Sequence, residues 1–339
     1  MKKFGKKALA LTAVAALSVS ALTGCGSKID NDAVVSTVGE TDIKLGMANF
    51  YARYQESNLE RLYQYYFGEN FWGNVMAEDV TYEESTKDSI MKELQEYYLL
   101  DAHAAEYNVS LTEEELAAFD AAADAFLKAN KSDAKKLISA DKETVVEYLR
   151  LVKLAEKMRT VITADVDTNV SDEEAAQKRL RYVRFATSVV ATDDTVLDLT
   201  EEEKADVMKE ATAFYADATA NGSLEAAAKE ADLDSYTITF DKDSTDIDAE
   251  VIAAADALEE GAFAAQIIEA ESGYYVVQLE SAFDEDATAK EKESIVSTRE
   301  NDLYNSVVEA WKEATEITLN EDVWAQVSFQ SLKVTAKED

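Results

Sequence analysis

Four aspartates, Asp241, Asp243, Asp246 and Asp248, have the spacing most suggestive of chemistry, because alternating carboxylates can gather around a hard cation. A calcium loop also needs Gly at its sixth position and Glu at its twelfth. Counted from Asp241 these positions hold Asp246 and Ile252, so the run reads as a solvated acidic loop. His103 is the sole histidine and Cys25 the sole cysteine. With no second imidazole and no thiol beside it, His103 reads as a surface or partly buried helix residue rather than a metal ligand or acid–base group. No metal and no cofactor is expected. The remaining candidates are aromatic. Nine aromatic residues fall between Phe50 and Trp72. Such a cluster suits a core between helices, a greasy surface for a client chain, or a stacking platform for a glycan.

The elements that must position these residues follow from hydrophobic periodicity. Ala33–Val38, Gly39-Glu40 and Thr41–Lys44 read as strand, turn, strand, and a helix begins at Leu45. Tyr82–Tyr107, a helix opened by Thr112-Glu113-Glu114-Glu115, a short helix ending near Ser139, and Lys142–Thr163 continue the helical pattern, with Thr112 and Glu115 forming a capping box. A second such box, Ser171-Asp172-Glu173-Glu174, marks a change of pattern. Beyond it Arg179–Val190 reads as a strand, Asp193–Leu199 as an acidic loop, and Thr200 caps a helix to Ala220. Leu224–Ala231 is a helix and Tyr236–Phe240 a strand. Glu250–Leu258 is a short helix, Phe263–Ile268 an apolar run, and Tyr274–Leu279 a strand after a Ser272-Gly273 corner. Glu285–Glu316 is a long helix whose apolar stripe requires a partner surface. Ile317–Leu319 is a short strand that, being unstable alone, is expected to share a sheet with Val34–Val38.

The chain opens with Lys2, Lys3, Lys6 and Lys7, an apolar stretch Ala8–Ala21 too short for a comfortable span, and Leu22-Thr23-Gly24-Cys25. This reads as a targeting segment rather than structure. The last four residues resemble the lipobox of bacterial lipoproteins, which implies cleavage before Cys25 and acylation of its thiol. Two acyl chains supply stable attachment, so a lipid-anchored, extracytoplasmic location is expected. The whole chain carries a formal charge of −36; without residues 1–24 it holds 29 basic against 69 acidic residues, a net of −40. That excludes nucleic acid as a partner and suits a solvated protein or one handling basic unfolded chains. Hydrophobic residues at 47% exclude general disorder, and the length exceeds one ordinary core.

Ala255–Gly261, Phe263–Ile268 and Gly273-Tyr274-Tyr275-Val276-Val277-Gln278-Leu279 resemble the closing half of a parvulin-type peptidyl-prolyl isomerase domain. Arg179–Val190 stands where such a domain begins, and Leu224 with Ala228-Lys229 matches its second helix. The order of elements over the whole chain resembles the PrsA and SurA type secretion foldases. The resemblance implies an α+β fold, a mostly helical module with an inserted parvulin-like domain whose small antiparallel sheet is flanked by helices. It divides the chain into a leader at 1–24, a tether at 25–32, a helical chaperone region at 33–170, a parvulin-like domain at 171–283, and a segment at 284–339 that returns to the first module. Parvulins place two histidines in a hydrogen-bonded core beneath the peptide groove. Here those positions fall on Tyr182 (on Arg181 if the register slips by one) and on Tyr275. Phe214, Phe263, Ile268 and Tyr274 are the expected groove residues. The function implied is a foldase that chaperones unfolded secreted proteins, with weak or absent isomerase activity. An active parvulin with a Tyr-based site, and a lipoprotein binding a small ligand or glycan through the Phe50–Trp72 aromatics, are the other readings; oligomeric state is left open.

Overall fold

The computed structural model describes residues 17–21, 29–77, 79–190 and 195–336. Cys25 and most of the leader lie outside the described residues. Contacts divide the chain into two units, one formed by residues 1–165 with 301–339 and the other by 166–300. The first unit is therefore discontinuous in sequence.

In the first unit, the expected pairing across the length of the chain is present. Ile317–Leu319 lies antiparallel to Val34–Val38, which pairs on its other edge with Thr41–Lys44. Three short strands share an inner face through Val35, Val38 and Ile43, all buried. They close over the helices Leu45–Phe67 and Tyr82–His103, which contribute Tyr51, Met91 and Leu94 to the same core. Capping boxes at Thr81/Glu84 and Thr112/Glu115 satisfy the first amides of two helices, Tyr82–His103 and Glu113–Ala129. His103 stacks on Trp311 at 4.1 Å and 8° between ring planes.

The C-terminal residues are held by buried charge. Arg53, 2% exposed, donates to the carbonyls of Ser328 and Leu332 at 3.0 and 2.9 Å and to Glu56 at 2.8 Å. Glu56 accepts the Val334 amide at 2.9 Å, and Glu83 accepts the Phe329 amide at 2.7 Å. Burial pushes the Glu56 carboxyl up, to about 8, while the Arg53 guanidinium pulls it back. A lone buried carboxylate would be costly; here every charge in the group has a partner.

At the N-terminus, the end of the apolar stretch read as a targeting segment forms a strand in the full chain: Leu17–Ala21 lies antiparallel to Leu332–Ala336. The two-residue period of Leu17 and Val19 is the cause, since it sends both side chains to one face, where they pack on the first unit.

The second unit is built on a four-stranded antiparallel sheet, ordered Ile268–Ala270, Gly273–Ser281, Lys178–Ala186, Tyr236–Phe240. Helices Glu201–Asn221 and Leu224–Glu230 pack on one face, and Ala249–Asp256 on the other. Three local expectations change. The strand read over Arg179–Val190 breaks at Thr187, giving Lys178–Ala186 and Ser188–Val190. The acidic loop contains a strand, Val196–Asp198, which pairs with Ser188–Val190 as a two-stranded hairpin. Of the apolar run Phe263–Ile268, only a single bridge from Phe263 to Gln278 forms before the strand Ile268–Ala270. The β-branched residues Val189, Val190 and Val196 favour the extended backbone of this exposed hairpin despite the acidic neighbours.

Gly273 fixes the hairpin corner. Its φ is +151°, and a Cβ there would meet the Phe185 carbonyl oxygen at 2.4 Å, so no other residue fits without backbone movement.

Candidate functional site

Tyr182 and Tyr275 reach the same face because of strand register. Tyr275 is opposite Arg184 and Ile268, whereas Tyr182 is opposite Val277 and Tyr236, so the two tyrosines are diagonal neighbours on adjacent strands. Their rings are 5.5 Å apart, and Tyr236 stands 5.6 Å from Tyr182 on the outer strand. Arg181 projects to the opposite face, where it pairs with Glu280 at 2.5 Å. Tyr182, not Arg181, is thus the residue beside Tyr275.

The hydroxyl of Tyr275 is tied into a short polar chain. It lies 2.5 Å from Ser272 Oγ, and that hydroxyl bonds Asp248 Oδ2 at 2.7 Å. The Ser272 amide donates to the same carboxylate oxygen at 3.2 Å. Asp248 occupies the N-cap position of helix Ala249–Asp256 but makes no capping bond to it; its carboxylate turns to Ser272 instead. Sequence reasoning missed both Ser272 and Asp248. A cap residue without a capping partner three positions on was the available signal, and it was absorbed into the acidic run.

The ring of Tyr275 is buried, and Tyr236 is half exposed. Burial raises the Tyr182 hydroxyl above the ordinary phenol range, and Tyr275 adds to that. The face can therefore offer neutral phenolic hydroxyls and a flat aromatic surface.

The four expected groove residues do not share a surface. Ile268 packs with the tyrosine face, while Phe214 and Phe263 pack on the other face with Val183, Leu224 and Val276. Phe214 is 5% exposed and is a core residue. Tyr274 follows the Val276 side of the strand by the two-residue period. The apolar area at the tyrosine pair comes instead from Ile268, Tyr236 and Ile238.

A second candidate lies in the first unit. The aromatic cluster splits: Phe50, Tyr51, Phe71 and Trp72 are core, but Tyr65 is 82% and Tyr66 67% exposed. Leu62 and Phe67 are exposed beside them on the end of helix Leu45–Phe67. Phe67 packs on Tyr82 at 4.9 Å, and the hairpin leading into Tyr82 exposes Val75, Met76 and Val80. The neighbouring exposed rings of Tyr65, Tyr66 and Phe67 form the kind of apolar surface that marks interaction sites. Among the described residues no group of acidic, histidine or cysteine side chains could hold a metal, and no helix is long and apolar enough to cross a membrane.

Residues 190–292, which hold the helices and the strand of Tyr275, match the family model of the PPIC-type PPIASE domain. Solved structures similar to the chain include the foldase PrsA of Lactococcus lactis, 14% identical, with 86% of this chain and 97% of that one covered at a TM-score of 0.35. PrsA of Streptococcus pneumoniae is 20% identical over 76% and 98% of the two chains, with a TM-score of 0.30. A SurA-like chaperone structure from Campylobacter jejuni is 11% identical over 85% and 99%, with a TM-score of 0.31. No curated protein sequence matches the chain.

Proposed function

We propose that this protein is an extracytoplasmic foldase, anchored through a lipid on Cys25 after removal of residues 1–24, that chaperones unfolded secreted proteins. Its prolyl isomerase activity is weak or absent. The observation that carries the reading is the exposed apolar surface of Leu62, Tyr65, Tyr66, Phe67, Val75 and Met76. Such a surface suits loose binding of apolar side chains presented by an unfolded polypeptide, and the net charge of the chain favours basic clients.

Isomerisation must lower a rotation barrier of roughly 20 kcal/mol by stabilising a twisted amide. At the tyrosine pair, the Tyr275 hydroxyl is already committed to Ser272 and through it to Asp248. That supports a face kept for packing and peptide contact rather than for turnover. The same polar chain favours a second reading, a parvulin whose Tyr275 hydroxyl, oriented by Ser272, hydrogen-bonds the twisting amide. A protease-coupled assay on a Xaa-Pro peptide separates the two, run beside suppression of aggregation of an unfolded client. Turnover near the uncatalysed rate with aggregation suppressed supports the chaperone. Strong acceleration, lost in Tyr182→Phe and Tyr275→Phe, selects the enzyme.

A further inference from the structure

The strand Leu17–Ala21 belongs to the segment read as a removable leader, yet it fills a built site. Leu17 is 3% exposed among Phe50, Phe126, Ile138, Val145 and Val334, with Val19 packed beside it. Five consecutive residues pair in register with Leu332–Ala336. The Leu17 amide donates to Asn130 Oδ1 at 2.7 Å, and Asn130 is itself 5% exposed and fixed by a bond from Nδ2 to the Phe126 carbonyl at 2.9 Å. On the far edge of Leu332–Ala336, Arg53 and Glu56 take the Leu332 carbonyl and the Val334 amide. Because backbone groups alternate along a strand, Lys333 and Thr335 are left to face Leu17–Ala21. If the leader is cut away, three things are exposed together: an apolar cleft, a row of strand donors and acceptors, and a buried amide oxygen without its donor. Each is costly in isolation.

We propose that this cleft is a strand-addition site for an extended client segment carrying aliphatic residues two positions apart, and that the leader strand occupies it until it is removed. The proposal rests on the leader reading given above. The occupant is defined by what the leader strand presents: an amide for Asn130, a backbone edge for Leu332–Ala336, and aliphatic side chains where Leu17 and Val19 lie. Any unfolded chain supplies the first two, so affinity is set by the side chains at two-residue spacing. A leader-bearing chain is then closed to clients, and a leaderless one is open.

The test uses the chain from residue 25 onward with Cys25→Ser, the full chain beside it, and a fluorescent peptide of residues 15–24. The leaderless chain should bind the peptide and the full chain should not. Replacing the Leu17 and Val19 of the peptide with Asp should weaken binding about a hundredfold, since each buried aliphatic side chain is worth about tenfold or more. An unrelated decapeptide with aliphatic residues two apart should compete. Equal binding of the Asp peptide, equal binding to the full chain, or failure of the unrelated peptide to compete would each overturn the client site. So would a leaderless dimer that the peptide dissociates, which would make a second copy the occupant. The N-terminal mass of the exported protein tests the leader reading separately. A retained leader defeats that reading and the opening step with it, whereas a leaderless chain that binds no peptide defeats the cleft itself.

Discussion

The Arg53 group of the first unit is fully buried and the Tyr182–Tyr275 face of the second only partly, and these two polar arrangements are built on opposite chemistry. Arg53, Glu56 and Glu83 commit buried ionisable groups to fixing backbone groups of Ser328–Val334. The tyrosine face has neutral hydroxyls and one carboxylate, Asp248, held by Ser272. Buried ions repay their desolvation only when each is matched, which makes them good at fixing one arrangement and poor at tolerating any change. Neutral phenols are cheaper to bury and cheaper to lose. The difference teaches that rigidity here is concentrated where the chain must close on itself, and that the face expected to meet a peptide is held lightly.

The comparison can be broken most forcefully at Arg53. Arg53→Ala strands Glu56 and two carbonyls, and is expected to cost about 3–5 kcal/mol of stability. Trp72, Trp311 and Trp324 all belong to the first unit, so urea unfolding followed by tryptophan fluorescence reads that unit alone. An unshifted tryptophan transition would show the charges to be dispensable. Gly273→Ala comes next. The clash with the Phe185 carbonyl and the unfavourable φ should cost the second unit about 2 kcal/mol. Far-ultraviolet circular dichroism should then show an early transition while the tryptophan signal holds its midpoint.

Tyr275→Phe tests the lightly held side. Losing the hydroxyl contact with Ser272 should cost about 1 kcal/mol and leave turnover of a Xaa-Pro peptide unchanged. A loss as large as that of Arg53→Ala would erase the contrast.

The smallest effect compares the two units through their helix caps. Bonds from Thr81 and Thr200 hold the carboxyls of Glu84 and Glu203 below the usual carboxylate range. A depressed folded-state value means this stabilisation is complete above the unfolded value of about 4.5 and is lost as pH falls through the depressed one. Thr81→Ala and Thr200→Ala keep the backbone bonds and remove only the hydroxyl ones, so each should partly flatten the loss of helix signal on acidification, the first in the tryptophan-reporting unit and the second in the other. An unchanged acid profile would remove the caps from the account.

Much of this architecture could be read from residue order. The capping boxes at Thr112 and Thr200 needed only local spacing, and the pairing of Ile317–Leu319 with Val34–Val38 followed from two strands too short to stand alone. The adjacency of Tyr182 and Tyr275 came from resemblance, and strand register then chose Tyr182 over Arg181. What escaped was longer in range. Phe214 looked like groove because it is large and apolar, but the helix that carries it packs on the Val183 and Val276 face of the sheet, away from Ile268. Asp248 looked like one more acid in a solvated run, because its partner Ser272 lies 24 positions away. The Arg53 group was invisible for the same reason: its acceptors are backbone carbonyls some 280 positions on, and a carbonyl has no signature in a sequence.

The discontinuity of the first unit also sets a schedule. A chain made from its N-terminus delivers residues 33–165 early, but their third sheet strand and the segment that pairs with Arg53 arrive last. Residues 166–300 emerge with all four strands of their own sheet and can close while the earlier segment waits. For that interval the first unit is a half-finished polypeptide, with Tyr51, Phe71 and Trp72 not yet covered. Chains ending at residue 300 should accordingly be cut by protease within residues 33–165 and resist it within 166–300.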